Sequence, residues 1–556
     1  MTAITSSAVG AGDPPPLGAP VPRPSSARRH TPWFLYVVGI LVSIAVILPL
    51  VFLVIQGLQV GWSTLEPLLF RSLTARLVWN TVALVIVVTA VCAVIGTLTA
   101  WFVERTELPG RHFWAVAVVI PLGIPDFVTS FGWHAVFPNF GGFWAAVLIM
   151  SLAVYPLVYL PVAANLRNAD PAQEEVARSL GHGRLTTFWR VTLGQARLAI
   201  LGGSVLVGLV VLAEFGAFEI LGYNTLTTEI YTEFQVAKVS TACAFSVILV
   251  ILGALLLFAE GAARGKGRSA RMGAGVARVA RPRPLGRARP AVLAGVGSLV
   301  ALALGVPVGA IAYLIIHPGA STLPSASLWD AAVHTFGYAA TAGLLATAAA
   351  LPIGLVSIRF PSRLARALER TNMLVLAMPG LVIALSFVYF TVHFLNSALY
   401  QTPTLLVITY AVMFFPLAVV SVRAGVARAP VGLEEIGHSL GVPHRSVFWR
   451  VTLPLLAPGL AAAFCLVFLE AATELTATLV LIPTNAHTLA TRFWEYQTNL
   501  AYGQAAPYAG VMVLLAAVPS YVLGRFFDRL PSRTPTAQQP ARATDRPVAP
   551  PILVSS

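Results

Sequence analysis

Long apolar runs alternate with short polar loops along nearly the whole chain. The runs lie near 33–58, 78–103, 113–135, 143–166, 198–222, 242–261, 291–316, 336–358, 371–395, 403–424, 456–481 and 508–527. About 20 apolar residues suffice for a helix to cross the hydrocarbon core of a bilayer. The pattern therefore predicts an all-α polytopic membrane protein of about twelve transmembrane helices. The first run is too long for a signal-peptide core and no cleavage site follows it, so it reads as an uncleaved helix. Residues 1–32 and 528–556 are rich in Pro and Arg and are expected to be disordered tails.

The polar loops contain a repeat. Residues 174–193 read EEVARSLGHGRLTTFWRVTL, and residues 434–453 read EEIGHSLGVPHRSVFWRVTL. The copies align without a gap, and FWRVTL is identical in both. Each follows the fourth run of its own set of six. The chain thus divides into a first half, 33–261, a linker, 262–290, and a second half, 291–527. Six spans per half make the halves parallel repeats about an axis along the membrane normal.

Composition agrees with a bilayer location. The chain is 57% hydrophobic and 10% charged, against roughly 25% charged in soluble domains. Its net charge of +14 does not indicate nucleic acid, because the basic residues sit in short loops between spans. The linker carries Arg264, Lys266, Arg268, Arg271, Arg278, Arg281, Arg283, Arg287 and Arg289. The loop after the eighth span carries Arg359, Arg363, Arg366 and Arg370. Both tails and both repeat copies are basic as well. Positive charge marks the cytoplasmic side, so both termini are expected there. Arg71, Lys238 and Arg492 are the main basic residues of the opposite loops. Cys92, Cys243 and Cys465 fall within apolar runs without metal or disulfide spacing and read as small buried hydrophobes.

The repeated loop has a local logic. In the first copy Asp170 is an expected N-cap, Pro171 suits the first helical position, and Gln173 completes a capping-box pattern. Glu174 and Glu175 stand in the first turn, where the helix dipole favours anions. Val176 and Leu180 are four apart and share a face. Gly181 is placed to end the helix in the left-handed region. A second short helix carrying Phe188, Val191 and Leu193 would return to the membrane. The second copy has Pro430 where the first has Asp170.

These loops resemble the EAA loop of ATP-binding-cassette (ABC) importer permeases. That motif is Glu-x-Ala, a Gly six residues after the Glu, and a hydrophobic run ending in Leu-Pro. Copy one, within 167–194, has Glu175, Ala177 and Gly181, with Gly194 in place of the final Pro. Copy two, within 427–454, has Glu435, Gly441 and Pro454, with Gly437 in place of the Ala; Glu434 matches Glu174. A fused pair of six-helix halves is similar to ferric-iron importer permeases. The segments LAEFGAFEILGYNTLTTEIYTEF, AMPGLVIALSFVY and EAATELTATLVLIPTNAHTLATRFWEY point to the same group. Thiamine and 2-aminoethylphosphonate permeases share the architecture. The resemblance implies the type I importer permease fold in a bacterial inner membrane. It implies two copies of an ABC ATPase, each receiving one loop, and a substrate-binding protein outside. ATP and Mg would be bound by the ATPase, with no cofactor on this chain.

The chain carries no phosphate-binding loop of its own. The nearest match, around Gly261, Gly265 and Lys266, is one residue short and lacks the hydroxyl residue that would meet magnesium. Neither a nucleophile triad nor a metalloprotease helix occurs. His134, His182, His334, His438 and His444 are scattered, and no stable metal site is expected. The intramembrane acids stand out instead. Glu214 and Glu474 occupy matching positions 260 residues apart, Glu470 lies one turn before Glu474, and Asp126 follows Pro125 in the third span. Acids at such depth face a cavity or a partner. They either line a cation path or bond neighbouring helices and hold a gate together. An ion-coupled secondary transporter is the contrasting function, since it too uses parallel six-helix repeats; the doubled loop favours the importer.

Overall fold

The computed structural model describes residues 33–59, 66–67, 69–169, 172–264, 282–317, 325–373, 375 and 378–528. The expected tail 1–32, the expected tail 528–556 apart from Asp528, which ends the last helix, linker residues 265–281 and the cap residues Asp170 and Pro171 lie outside them. Secondary structure among the described residues is helical, with one parallel bridge between Thr106 and Arg283. The first half runs α1 (Trp33–Gln59), α2 (Ser72–Arg105), α3 (Arg111–Ala117), α4 (Asp126–Val136), α5 (Gly142–Val154), α6 (Pro156–Asn168), α7 (Ala172–Ser179), α8 (Leu193–Ala213), α9 (Gly216–Ile220), α10 (Leu226–Gln235) and α11 (Val239–Arg264). The second half runs α12 (Arg289–Val300), α13 (Val306–Ile316), α14 (Ser325–Arg359), α15 (Arg363–Met373), α16 (Gly380–Phe394), α17 (Pro403–Met413), α18 (Phe415–Arg428), α19 (Val431–Ser439), α20 (Leu453–Ala472), α21 (Thr476–Leu481), α22 (Leu489–Thr498) and α23 (Tyr502–Asp528).

Eight of the described helices are long and apolar enough to cross a membrane, or ten spans if each of two bent pairs counts as one. The remaining expected positions hold the shorter apolar α16 and the 27-residue α23. Proline explains the bends. The third span turns by 94° between Gly123 and Asp126. Ile124, immediately before Pro125, is held extended at ψ 127°, as the proline ring demands of its predecessor. The tenth span bends by 54° where Pro416 restarts the helix.

Three expected spans are corrected. The fifth was placed at 198–222, but its helix ends at Ala213, and the apolar residues beyond belong to the separate α9. The eleventh, placed at 456–481, ends at Ala472 before α21. Apolar stretches lie on both sides of Glu214 and of Glu474, so each pair was read as one span, although the acids themselves mark the interruptions. The ninth, placed at 371–395, begins only at Gly380, and α15 before it is a separate amphipathic helix.

The halves exchange their first helices. α1 packs on α14, α15 and α16 of the second half. There Tyr36 bonds Ser362 at 2.9 Å and Asn372 donates to Ser43 at 3.1 Å. In return α13 lies on α4, and Val292, Val296 and Ala303 join the first half's core. A third cluster joins Phe127, Phe131 and Phe215 of the first half to Leu475, Phe493 and Trp494 of the second.

Helices meet through small residues. Ala339, Ala342, Ala346 and Ala350 are fully buried along one face of α14, which packs on α18 and α20. Gly425 and Gly459 bring the backbones of α18 and α20 together, so that a Cβ built on Gly459 would stand 2.7 Å from the Gly425 Cα. Close backbone approach of this kind replaces the hydrophobic drive that lipid does not supply. Outward faces are apolar: Ile86, Val94, Leu344 and Leu514 are all exposed, which suits contact with acyl chains.

Gly459→Leu should therefore force α20 from α18 and lower stability by about 1–3 kcal/mol. Thermal unfolding of the purified protein in detergent checks it. Gly337→Leu is the control, since its Cβ would meet nothing within 4 Å and its midpoint should hold.

Candidate functional site: two anchored loops and a cleft of carboxylates

The two repeat copies fold alike. α7 and α19 are short helices, each followed by a glycine at positive φ: +83° at Gly181 and +77° at Gly441. The His182 N–H reaches back to the Ala177 carbonyl at 3.1 Å, and the Gly181 N–H to Arg178 at 3.0 Å. This is a Schellman turn, the ending that glycine permits at a helix C-terminus. In the second copy the Val442 N–H bonds the Gly437 carbonyl at 3.1 Å. The identical FWRVT segments both form one π-helical turn, at Phe188–Thr192 and Phe448–Thr452.

The paired glutamates divide their roles. Glu174 points inward and is 3% exposed. It accepts from the Thr192 hydroxyl at 2.9 Å and pairs with Arg283, Arg178 and Arg105, the last at 4.0 Å. Glu434 accepts from Arg359 at 3.1 Å and from Thr452 at 3.2 Å. Arg105 and Arg359 are the last residues of α2 and α14, so each loop is anchored to the second span of its half. Sequence reading took Arg283 and Arg359 only as orientation charges, did not single out Arg105, and took the threonines only as part of a repeat. Glu175 and Glu435 stay on the surface. Gln173 bonds Gln195 at 2.7 Å.

With Glu174 and Ala177 turned inward, the opposite face carries Val176 and Leu180. In the second copy it carries Ile436 and Leu440, at the same offset. They are 57%, 74%, 56% and 75% exposed. Trp189 and Trp449 are exposed nearby in both copies. Where Gly437 replaces Ala177, Val447 has moved close, and a Cβ on Gly437 would stand 3.0 Å from it. Pro454 occupies the first turn of α20, while the matching Gly194 has open space around it.

The intramembrane acids sit at the helix breaks. α8 stops at Glu214, whose Oε1 accepts the Ala217 N–H at 2.8 Å and so caps α9. α20 stops just before Glu474, whose Oε1 accepts the Ala477 N–H at 2.9 Å and caps α21. Thr227 donates to the Glu214 carbonyl and Thr478 to the Glu474 carbonyl, both at 2.6 Å. The bonds thus go to each acid's own following segment. Asp126 opens α4 directly after the 94° bend, and Glu470 lies in the last turn of α20.

All four acids come together across the two halves. Asp126 is within electrostatic reach of Glu470 and Glu214, and Glu474 of Glu214 and Glu470. Gly216, two residues past Glu214, abuts Leu475 and Phe127, each 2.9 Å from where its Cβ would be. Asp126, Glu214 and Glu474 are half-buried and Glu470 is exposed. Among the described residues no three His, Cys, Asp or Glu side chains converge as ligands for a metal ion.

Comparison with known proteins matches residues 108–262 and 342–533 to the family described as binding-protein-dependent transport system inner membrane component. The Fe(3+)-transport system permease protein FbpB 2 of Haemophilus influenzae is 36% identical over 504 residues, covering 90% of this chain and 99% of that protein. The ferric transport system permease protein FbpB of Actinobacillus pleuropneumoniae is 22% identical over 488 residues, covering 80% and 69%. The sulfate transport system permease protein CysW of Escherichia coli is 25% identical over 248 residues, covering 41% of this chain and 85% of that protein.

The loop geometry makes one local prediction. A side chain on Gly441 meets nothing within 4 Å, so only its positive φ penalises substitution. Gly441→Asn should keep the turn, because asparagine tolerates the left-handed region. Gly441→Val should loosen the end of α19 by about 1–2 kcal/mol. Hydrogen exchange across 431–441 in the two variants, with equal protein yield, checks the difference.

Proposed function

The chain belongs to the binding-protein-dependent transport system inner membrane component family, and we propose that it is the permease subunit of a ferric-iron ABC importer. The observation that carries the coupling reading is the pair of outward apolar faces, Val176 with Leu180 and Ile436 with Leu440. An exposed apolar patch on a polar loop marks a protein contact. Two such patches related by the repeat fit two copies of one ATPase subunit, with Glu175 and Glu435 beside them. ATP and Mg bind on those subunits, and this chain supplies no catalytic group. The basic loops favour a cytoplasmic position for α7, α19 and both termini, in a bacterial inner membrane. A substrate-binding protein delivers cargo to the opposite mouth. ATPase closure then pushes both loops and shifts the helices between inward- and outward-open basins, each biased by its ligands.

The cargo reading rests on the cleft. Asp126, Glu214, Glu470 and Glu474 would line the path with carboxylate oxygen, which suits a hard trivalent cation and repels an anion such as sulfate. Among the described residues no three of them converge as a closed ligand set, as release requires. The ferric relatives match nearly the whole chain, whereas CysW matches one half.

Two outcomes test this. Val176→Asp combined with Ile436→Asp should reduce ATPase retention in a pull-down at least about tenfold, by desolvating charge against an apolar groove. Unchanged retention would refute the docking faces. In reconstituted vesicles with all three components, labelled ferric ion should be taken up in preference to thiamine, 2-aminoethylphosphonate and sulfate. Glu474→Gln keeps an acceptor for the Ala477 N–H and so the fold, but should lower ferric uptake. Glu474→Leu removes the cap as well, which costs about 1 kcal/mol, and should lower protein yield. Wild-type iron uptake by Glu474→Gln would take this residue out of the path.

A further inference from the structure

The two coupling loops are anchored differently. In the second copy Arg359, from the end of α14, meets Glu434 directly at 3.1 Å. In the first, the equivalent Arg105 stands 4.0 Å from Glu174. It is 4% exposed, and its Nε and Nη2 have no hydrogen-bond partner. Arg283 has taken the carboxylate in its place. Arg283 belongs to neither the loop nor the first half. It lies six residues before α12, the first helix of the second half. Its backbone is fastened there too: its N–H donates to the Arg105 carbonyl, and its carbonyl accepts from the Glu107 N–H, both at 2.9 Å. The short bridge with Thr106 therefore ties the end of α2, the lead into α12 and the first coupling helix into one unit. Glu434 of α19 is held by Arg359 and Thr452, both of its own half.

We propose that Arg283 is a positioning residue that fastens the first coupling helix to the lead-in of the second half, making the two ATPase-docking loops mechanically inequivalent. A push on α7 is transmitted through Glu174 and Arg283 to α12, which is itself embedded in the first half's core through Val292 and Val296. A push on α19 passes through Glu434 and Arg359 to α14 within its own half. Two identical ATPase subunits would then work against unlike loads. The coupling role of α7 and α19 is taken from the reading above; the strap itself is not.

The test uses the full permease in lipid nanodiscs without ATPase, with hydrogen exchange read over 172–181 and 431–441. In the wild type the first segment should exchange more slowly than the second. Arg283→Ala should speed the first by about tenfold, the scale of one charge-assisted hydrogen bond, and leave the second unchanged. The variant should fold, because Arg105 is placed to take over Glu174. Arg283→Lys keeps the charge without the fork and should restore part of the protection. Should Arg283→Ala insert poorly, Glu174→Gln breaks the same contact from the other side and should speed the same segment. Unchanged exchange over 172–181, or equal acceleration of both segments, overturns the strap. An ATPase that never binds the wild-type permease would remove the coupling reading and leave the exchange result standing.

Discussion

A helix that stops inside a bilayer must find internal partners for its broken backbone, because no water is there to supply them. The rest of this structure depends on how that is met at Glu214 and Glu474. One carboxylate oxygen caps the next short helix, and a threonine hydroxyl covers the residue's own carbonyl. The break is thereby stabilised by the acid's own side chain. Holding the gate and lining the path were alternatives in the sequence. In the fold the side chains offered for the path are the ones that cap the breaks.

The same two helices connect the breaks to the loops. α8 begins directly after Thr192, which anchors Glu174, and ends at Glu214. α20 begins directly after Thr452, which anchors Glu434, and ends just before Glu474. Twenty to twenty-one residues at about 1.5 Å each give a rod of roughly 30 Å. Displacement of α7 or α19 would therefore be carried toward Glu214 or Glu474 along one helix in each copy. The glycine-lined contact of α20 with α18 keeps that rod close to its neighbour, and the apolar faces of the loops are where force can enter.

The repeat made the membrane class, the two halves and the coupling glycines legible from sequence, because each rests on local pattern. The 260-residue register also paired Glu214 with Glu474 correctly. It missed the anchors because the register shifts elsewhere. Arg105 and Arg359 are 254 apart, as are Thr81 and Thr335, which receive the N–H groups of Leu226 and Leu489 in matching ways. The capping boxes at Thr225 and Thr488 are 263 apart. Insertions and deletions hide these pairs from a fixed offset, although the fold superposes their roles. The breaks after Ala213 and Ala472 were missed for another reason: Glu214 and Glu474 mark them, but apolar residues on both sides kept each run reading as one span, and the acids were weighed only as path or gate residues.

Fusing two halves into one chain changes what each may become. A symmetric pair of identical subunits must solve every contact twice in the same way. Here the copies have diverged around a shared frame. Ala177 packs inward in one loop, while Gly437 gives way to Val447 in the other. Glu174 is held by three arginines and Glu434 by Arg359 with Thr452. The exchanged first helices make the divergence consequential, because α12 follows the connecting segment and enters the opposite half's core. The segment between the halves thus ends in a structural contact with the very loop that the repeat first made visible. Its last residues cannot act as a passive spacer, since any motion of α7 must either carry Arg283 with it or transfer Glu174 to Arg105.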